Sequence, residues 1–306
     1  MISKKQTNIA ASVRQRILNK ARATERPFAE LLQYFAMERF LYRLSKSTYS
    51  GNFILKGALM LSVWNAPYTR PTMDIDMLGQ MDNDINSIIS FAQEVCLQEV
   101  EPDGIIFDLD SVTTENIRED GDYGGIRARF KGSLDTARFS MQLDIGFGDV
   151  IVPKVDVFNY PVLLHLPQPR LHGYSKESTI AEKFEAMVKL GIINSRMKDF
   201  FDVWMLSRQF DFDGIILTAA IKQTFSARGT GLKPEPIPLT NSFAADISKS
   251  AQWRGFIRNN RISNVPQDFK EIVSAVASFL MPIAECLAGK RPFKDVWKAP
   301  GPWRKR

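Results

Sequence analysis

Asp74 and Asp76 stand two residues apart in Asp74-Ile75-Asp76-Met77-Leu78, a stretch that alternates polar and apolar residues as a β-strand does. Successive strand side chains point to opposite faces, so the two carboxylates project together while Ile75 and Met77 face the other way. Carboxylates about 7 Å apart on one face repel unless positive charge sits between them. A divalent metal with oxygen ligands supplies such charge, and Mg²⁺ typically bridges protein carboxylates and substrate phosphates. The plain alternative is a D-x-D tripeptide on a solvated strand edge. A third acid, Asp144, lies in Ala137–Phe147, the clearest strand pattern in the chain. There Phe139, Met141, Leu143, Ile145 and Phe147 share one face, and Ser140, Gln142, Asp144 and Gly146 the other. A third carboxylate from a neighbouring strand suits a two-metal site, where it helps hold the ion that activates an attacking hydroxyl. Taken alone, Asp144 reads equally well as a surface polar residue.

Two further groups of charged residues stand on helical patterns. Across 180–190 the apolar stripe is Ile180, Phe184, Met187 and Val188, and the stem of Lys183 lies beside it. Its ammonium either snorkels to water or reaches toward a triphosphate. Asp199 and Asp202 lie three apart on one helical face with Arg196 a turn earlier. By spacing this is a helix with an internal ion pair.

The elements that would position these residues follow from periodicity. Residues 8–24 and 27–46 read as amphipathic helices parted near Pro27, the second with Leu31, Leu32, Phe35, Phe40, Leu41 and Leu44 as its core face. A short apolar run then meets Gly57, followed by a helical segment and a loop broken by Pro67 and Pro71. Residues 83–97 read as a helix capped by Asp82 or Asn83. Residues 107–118 and 126–132 read as strands flanking a turn at 119–125. The Pro-rich stretch 151–175 reads as a crossing between domains. Beyond it the pattern is helical, opening with Ser178 or Thr179 as a cap. Residues 212–225 and 272–287 read as helices separated by a Gly/Pro-rich loop. Trp253, Trp297 and Trp303 stand among cations. Such mixtures suit nucleic-acid surfaces, although a core helix explains the Trp253 stretch better.

Composition limits the class. The chain has 306 residues, 44% of them hydrophobic and 24% charged, as in soluble globular proteins. No apolar run is expected to reach the roughly 18 residues of a membrane span, and the basic N-terminus lacks a signal-peptide core. Two cysteines far apart and two histidines argue against structural zinc, and the chain reads as cytoplasmic and reduced. The net charge of +6 is uneven: residues 1–46 carry about +7 and 289–306 about +6, leaving an acidic centre. That layout suits a metal site that meets a polyanion, or two solvated tails.

Lys56-Gly57-Ala58 followed by Arg70-Pro71-Thr72-Met73-Asp74-Ile75-Asp76 resembles the first motif of the AbiEii-type nucleotidyltransferase toxins, within the polymerase-β-like superfamily. Residues 143–149 resemble the family's third-carboxylate strand. Ala181-Glu182-Lys183, then Arg196-x-Lys198-Asp199-x-x-Asp202, resembles its long fourth motif. The likeness spans roughly residues 50–206. It departs at Ala58, where many nucleotidyltransferases place a Ser whose hydroxyl reaches a phosphate.

The resemblance implies an α+β (mixed α/β) fold. A nucleotidyltransferase core with N-terminal helices would occupy 1–165, and a mostly helical domain at 166–306 would complete the active-site cleft. It implies Mg²⁺-dependent transfer (Mn²⁺ can substitute) of a nucleoside monophosphate from an NTP to a hydroxyl. Asp74, Asp76 and Asp144 would hold metal. Lys56, Gly57, Ala58, Arg70 and Lys183 would bind nucleotide, Asp199 would orient Lys183 or the nucleotide, and Arg70 and Asp202 could be support alone. The family also implies a separate antitoxin, phage defence through abortive infection, and an RNA acceptor, since some relatives extend the acceptor end of tRNA. The alternatives are an antibiotic-type enzyme with a small acceptor and an inactive nucleotide- or RNA-binding protein.

Overall fold

A computed structural model of the chain describes residues 4–66, 70–118 and 124–306, with side chains from residue 9 onward. Residues 119–123 of the expected turn, and the break at Pro67, lie outside the described residues. The architecture is mixed α/β, as expected, and divides into two compact units. Unit 1 comprises residues 1–65, 72–148 and 156–173; unit 2 comprises 66–71, 149–155 and 174–306.

Unit 1 opens with helices α1 (Lys4–Thr24) and α2 (Phe28–Lys46). There follow β1 (Phe53–Lys56), the five-residue α3 (Leu59–Val63), β2 (Ile75–Gly79) and α4 (Ile85–Leu97). Strands β3 (Ile105–Arg118), β4 (Gly124–Leu134) and β5 (Ala137–Phe147) form a meander. Two four-residue strands, β6 (Asp156–Asn159) and β7 (Arg170–Gly173), complete a seven-stranded mixed sheet in the order β3-β4-β5-β2-β1-β7-β6. These last two lie in the Pro-rich stretch that had read as a bare crossing. All six apolar positions expected for the core face of α2 are buried. The cap of α4 is Asp84 rather than Asp82 or Asn83, its carboxylate accepting from the Ser87 N–H at 2.8 Å.

Unit 2 contains α5 (Lys176–Leu190), α6 (Met197–Gln209), β8 (Phe212–Asp213), α7 (Gly214–Ala227) and the single-turn α8 (Asn241–Ala244). It ends with α9 (Ile247–Asn259), α10 (Phe269–Ala288), β9 (Val296–Trp297) and β10 (Trp303–Arg304). Ser175 caps α5 by accepting from the Ser178 N–H at 3.0 Å, three residues before the first expected cap. Helix α10 is long and apolar enough, by length and composition, to cross a bilayer, which corrects the expectation that no run reaches that length. It buries Phe269, Ile272, Val273, Val276, Phe279, Leu280, Ile283 and Ala284 within the unit.

Trp253 takes the core-helix reading, Trp297 is a core residue where a nucleic-acid surface was expected, and Trp303 is half-buried. Trp253 is fully buried and donates its indole N–H to the Pro266 carbonyl at 3.0 Å. Trp297 donates to the Ser207 carbonyl at 2.5 Å, and Trp303 stacks on Phe279 with ring centroids 5.5 Å apart. A Trp ring buries a large apolar area once its one N–H finds an acceptor, and each of these has done so. The tail from Gly289 is thus part of the packing of unit 2, with Trp297 buried and Trp303 half-buried against Phe279.

Candidate active site

Parallel pairing of β2 with β5 sets Asp76 opposite Asp144. Directly opposed residues share a face, so Asp74, Asp76 and Asp144 converge there. One carboxylate oxygen from each lies within 4.8 Å of the others, and all three residues are half-buried. Three hard oxygen donors at this spacing fit a divalent cation of the Mg²⁺ or Mn²⁺ kind. The fit is supported by the approach of Asp76 to the turn after β1. Gly57 has φ +70°, and a Cβ there would collide with the Asp76 carboxylate. Gly57 therefore gives both the left-handed turn and the room for the acid. Gly57→Ala should cost about 1–3 kcal/mol of stability. Divalent-metal binding per folded molecule should also weaken, because Asp76 must move; a denaturant melt and a Mg²⁺ titration on the same sample check both.

The preceding loop is held from several sides. Thr72 donates its hydroxyl to Asp74 and its N–H to the Tyr34 hydroxyl, the latter at 3.1 Å. Gln33 bridges the Met73 and Ser140 carbonyls at 3.2 and 2.9 Å, tying the approach to β2 onto β5. Lys56 stands opposite Asp76 on β1, and the buried Ala58 precedes α3. With five residues α3 has a small dipole, so little phosphate attraction comes from the helix itself.

Sequence reasoning missed Arg127. It stands opposite Asp144 on β4 and donates two hydrogen bonds of 2.7 Å to that carboxylate in a fork. Gln142 adds a third at 3.3 Å, and Glu115 lies 3.7 Å from the same guanidinium. The hydrogen bond to Asp144 holds Arg127 above its already high ordinary value. A carboxylate has about four lone-pair directions, so Asp144 held in this way keeps acceptor capacity for a metal. Strand alternation at Arg127 is visible in the sequence, but its register against β5 is not.

Within unit 2 the second group of expected residues forms a four-charge cluster. Lys183 on α5 lies 2.9 Å from Asp199 and 2.7 Å from Asp202, both on α6. Arg70 grips Asp202 with two hydrogen bonds of 3.1 Å. The carboxylates are almost fully buried, and the Lys183 side chain is 12% exposed. Its ammonium does not snorkel to water. The ion pair expected within α6 is corrected too: Asp199 and Asp202 pair with Lys183 and Arg70, and Arg196 donates its backbone N–H to Asn194. Burial opposes charge on Lys183, yet Asp199 and Asp202 outweigh it and raise the ammonium to about 12. Lys183 is therefore a cation at neutral pH.

A neighbouring cluster, also without a sequence signal, steadies α5. Arg228 contacts Asp149 at 2.7 Å, Glu185 at 2.9 Å and Glu182 at 3.5 Å. Thr230 donates to Glu185 and Tyr174 to Glu182. Burial opposes the charge on Arg228, while Glu182 and Asp149 overcome it and hold the guanidinium above its ordinary value. Asp149, at the end of the 143–149 stretch, is a partner in this cluster. Arg228→Met leaves three partly buried carboxylates without their shared cation and should cost about 3–5 kcal/mol, read from denaturant melts at neutral pH.

The profile of the family described as nucleotidyl transferase AbiEii toxin, type IV toxin–antitoxin system, matches residues 39–275. No curated protein matches the chain. Two solved Helicobacter pylori structures are similar to it. JHP933 is 15% identical, with 85% of this chain and 92% of that one covered and a TM-score of 0.43. A nucleotidyltransferase candidate is 14% identical, with 85% and 95% covered and a TM-score of 0.41. The match across residues 39–275 places this chain in the AbiEii nucleotidyltransferase toxin family of type IV toxin–antitoxin systems.

Proposed function

We propose that the protein transfers a nucleoside monophosphate from an NTP to a hydroxyl of RNA, the acceptor end of tRNA being the expected target, and releases pyrophosphate. The observation that carries this reading is the convergence of Asp74, Asp76 and Asp144 on one sheet face. A non-catalytic binder has no use for three repelling acids at that spacing. Divalent ions held by these carboxylates would neutralise phosphate charge and lower the pKa of the acceptor hydroxyl. The hydroxyl oxygen forms a bond to the α-phosphorus and loses its proton. The bond from that phosphorus to the bridging oxygen breaks, its electron pair leaving with pyrophosphate.

Unit 1 supplies the carboxylates, with Arg127 and Gln142 holding Asp144 in orientation. Gly57 and Lys56 border the same face and are assigned to nucleotide binding, with Ala58 contributing backbone alone. Unit 2 supplies Lys183. An ammonium has three N–H donors, so Lys183 can keep Asp199 and Asp202 and still offer one to a phosphate oxygen. Asp199 and Asp202 preserve its charge and direction, and Arg70 holds Asp202 in place. A cytoplasmic setting, a neutralising antitoxin and a role in phage defence complete the reading.

Incubation with each labelled NTP, Mg²⁺ and total RNA tests it. Label should enter RNA and depend on the divalent ion. Label in a small product alone would favour the antibiotic-type acceptor, and nucleotide binding without transfer would favour an inactive protein.

A further inference from the structure

We infer that the outward face of β4, continued by Arg138 on β5, is a phosphate track for a single-stranded nucleic acid whose hydroxyl end reaches the carboxylate triad. The inference rests on the nucleic-acid acceptor reading above and names the surface that would hold that acceptor. Strand β4 alternates buried Ile126, Ala128 and Phe130 with outward Arg127, Arg129 and Lys131. The register against β5 sets Arg127 opposite Asp144, Arg129 opposite Gln142, Lys131 opposite Ser140, and Ser133 opposite Arg138. One row of cations thus starts at the triad and leads away across the sheet. Alternate strand residues are about 6.8 Å apart, close to the spacing of successive phosphates along an extended single strand.

The far end of the row is free to bind. Lys131 and Arg138 are exposed, and neither side chain makes a hydrogen bond or ion pair among the described residues. Both border a surface cavity of about 660 Å³, together with Ser133, Ser140, Asp108 and Ile106. Ile106 is 60% exposed and offers an apolar surface to a base or sugar. Nearer the triad, Arg129 is paired with Glu115 at 2.7 Å, but both side chains are about half exposed. Exposed pairs of this kind contribute little, so a phosphate can take Arg129 readily. Asp108 opposes Lys131 in register and is the one acid among these cavity residues. Its charge should weaken binding there.

The test measures binding of a fluorescent single-stranded 12-mer RNA by anisotropy from low to high salt. It uses the full chain, the double variant Lys131→Gln/Arg138→Gln, and Asp108→Asn. All three substitutions lie at exposed positions, and equal melting temperatures would verify folding. The double variant should bind about tenfold or more weakly at low salt. The slope of log affinity against log salt should shrink by about 1.4, two single-strand phosphate contacts. Asp108→Asn should bind more tightly than wild type. Wild-type affinity and slope in the double variant, or no RNA binding by the wild type, would overturn the track. Transfer of label into RNA is measured in parallel. RNA labelling with unchanged binding in the double variant leaves the enzyme reading standing without the track. Track-dependent binding without labelling leaves the track standing without the transfer reading.

Discussion

Asp76→Ala should abolish nucleotide transfer while leaving the fold as stable as wild type, or more so, in metal-free buffer. The stability expectation follows from charge. Asp74, Asp76 and Asp144 bring carboxylate oxygens within 4.8 Å of one another, and Arg127 is engaged with Asp144. Removing one acid relieves repulsion within the group. The activity expectation follows from position. Asp76 is the acid set opposite Asp144 and against Gly57, a place that neither Asp74 nor Asp144 occupies. Losing one preorganised electrostatic contact commonly costs a factor of ~10²–10³, and losing a shared metal ligand should cost at least as much. Melting with and without Mg²⁺ adds a readout independent of turnover. A ligand that binds only the folded state at a hundred times its Kd stabilises by about 2.7 kcal/mol. Wild type should show a Mg²⁺-dependent rise in Tm, and Asp76→Ala should show little or none. Near-normal transfer by the variant would remove Asp76 from the metal site.

The residues that converge here differ in how visible they were. Strand β5 was legible to the residue because five alternating apolar positions leave one register for its buried face. Asp74 and Asp76 were legible for the same reason, since strand geometry alone puts them on one side. Arg127 was not, because its pairing with Asp144 depends on register between strands, which neither strand's own pattern contains. Strands β6 and β7 were hidden by length: four residues among prolines carry too little periodicity to stand out. The caps slipped by one residue at Asp84 and by three at Ser175, since several Ser, Thr, Asn and Asp residues in each stretch can cap. Trp297 misled because its ring turns inward while its cationic neighbour Lys298 faces out. Lys183 was placed on the correct border of its helix, but its partners belong to α6, sixteen and nineteen residues on.

Those partners change what Lys183→Met should do. A side chain that merely snorkelled could be replaced by an isosteric apolar one at little cost. Here the substitution leaves Asp199 and Asp202 buried with Arg70 as the one remaining cation of the four-charge cluster. Breaking a buried pair from one side costs about 3–5 kcal/mol, so Lys183→Met should be clearly destabilised as well as inactive. The double variant Lys183→Met/Asp199→Asn restores neutrality, with Arg70 facing Asp202 alone. It should recover most of the lost stability and none of the lost transfer. That divergence separates the two roles, because a purely structural lysine would let activity return with the fold.

Titration adds a second check. The folded-state value of Lys183 is raised from its ordinary 10.5 to about 12, so its stabilising contribution is complete below about 10.5 and is lost as pH climbs through 12. Burial works against the charge on Asp202, yet Arg70 and Lys183 keep it below its ordinary 3.8, so its contribution is complete above that value and fades on further acidification. Denaturant melts of the wild type should therefore show an alkaline loss of stability between about 10.5 and 12 that the double variant lacks, superimposed on whatever the remaining tyrosines and lysines contribute to both. An unchanged alkaline limb in the double variant would remove the Lys183 ion pair as a source of stability, and activity restored together with stability would return Lys183 to a purely structural role.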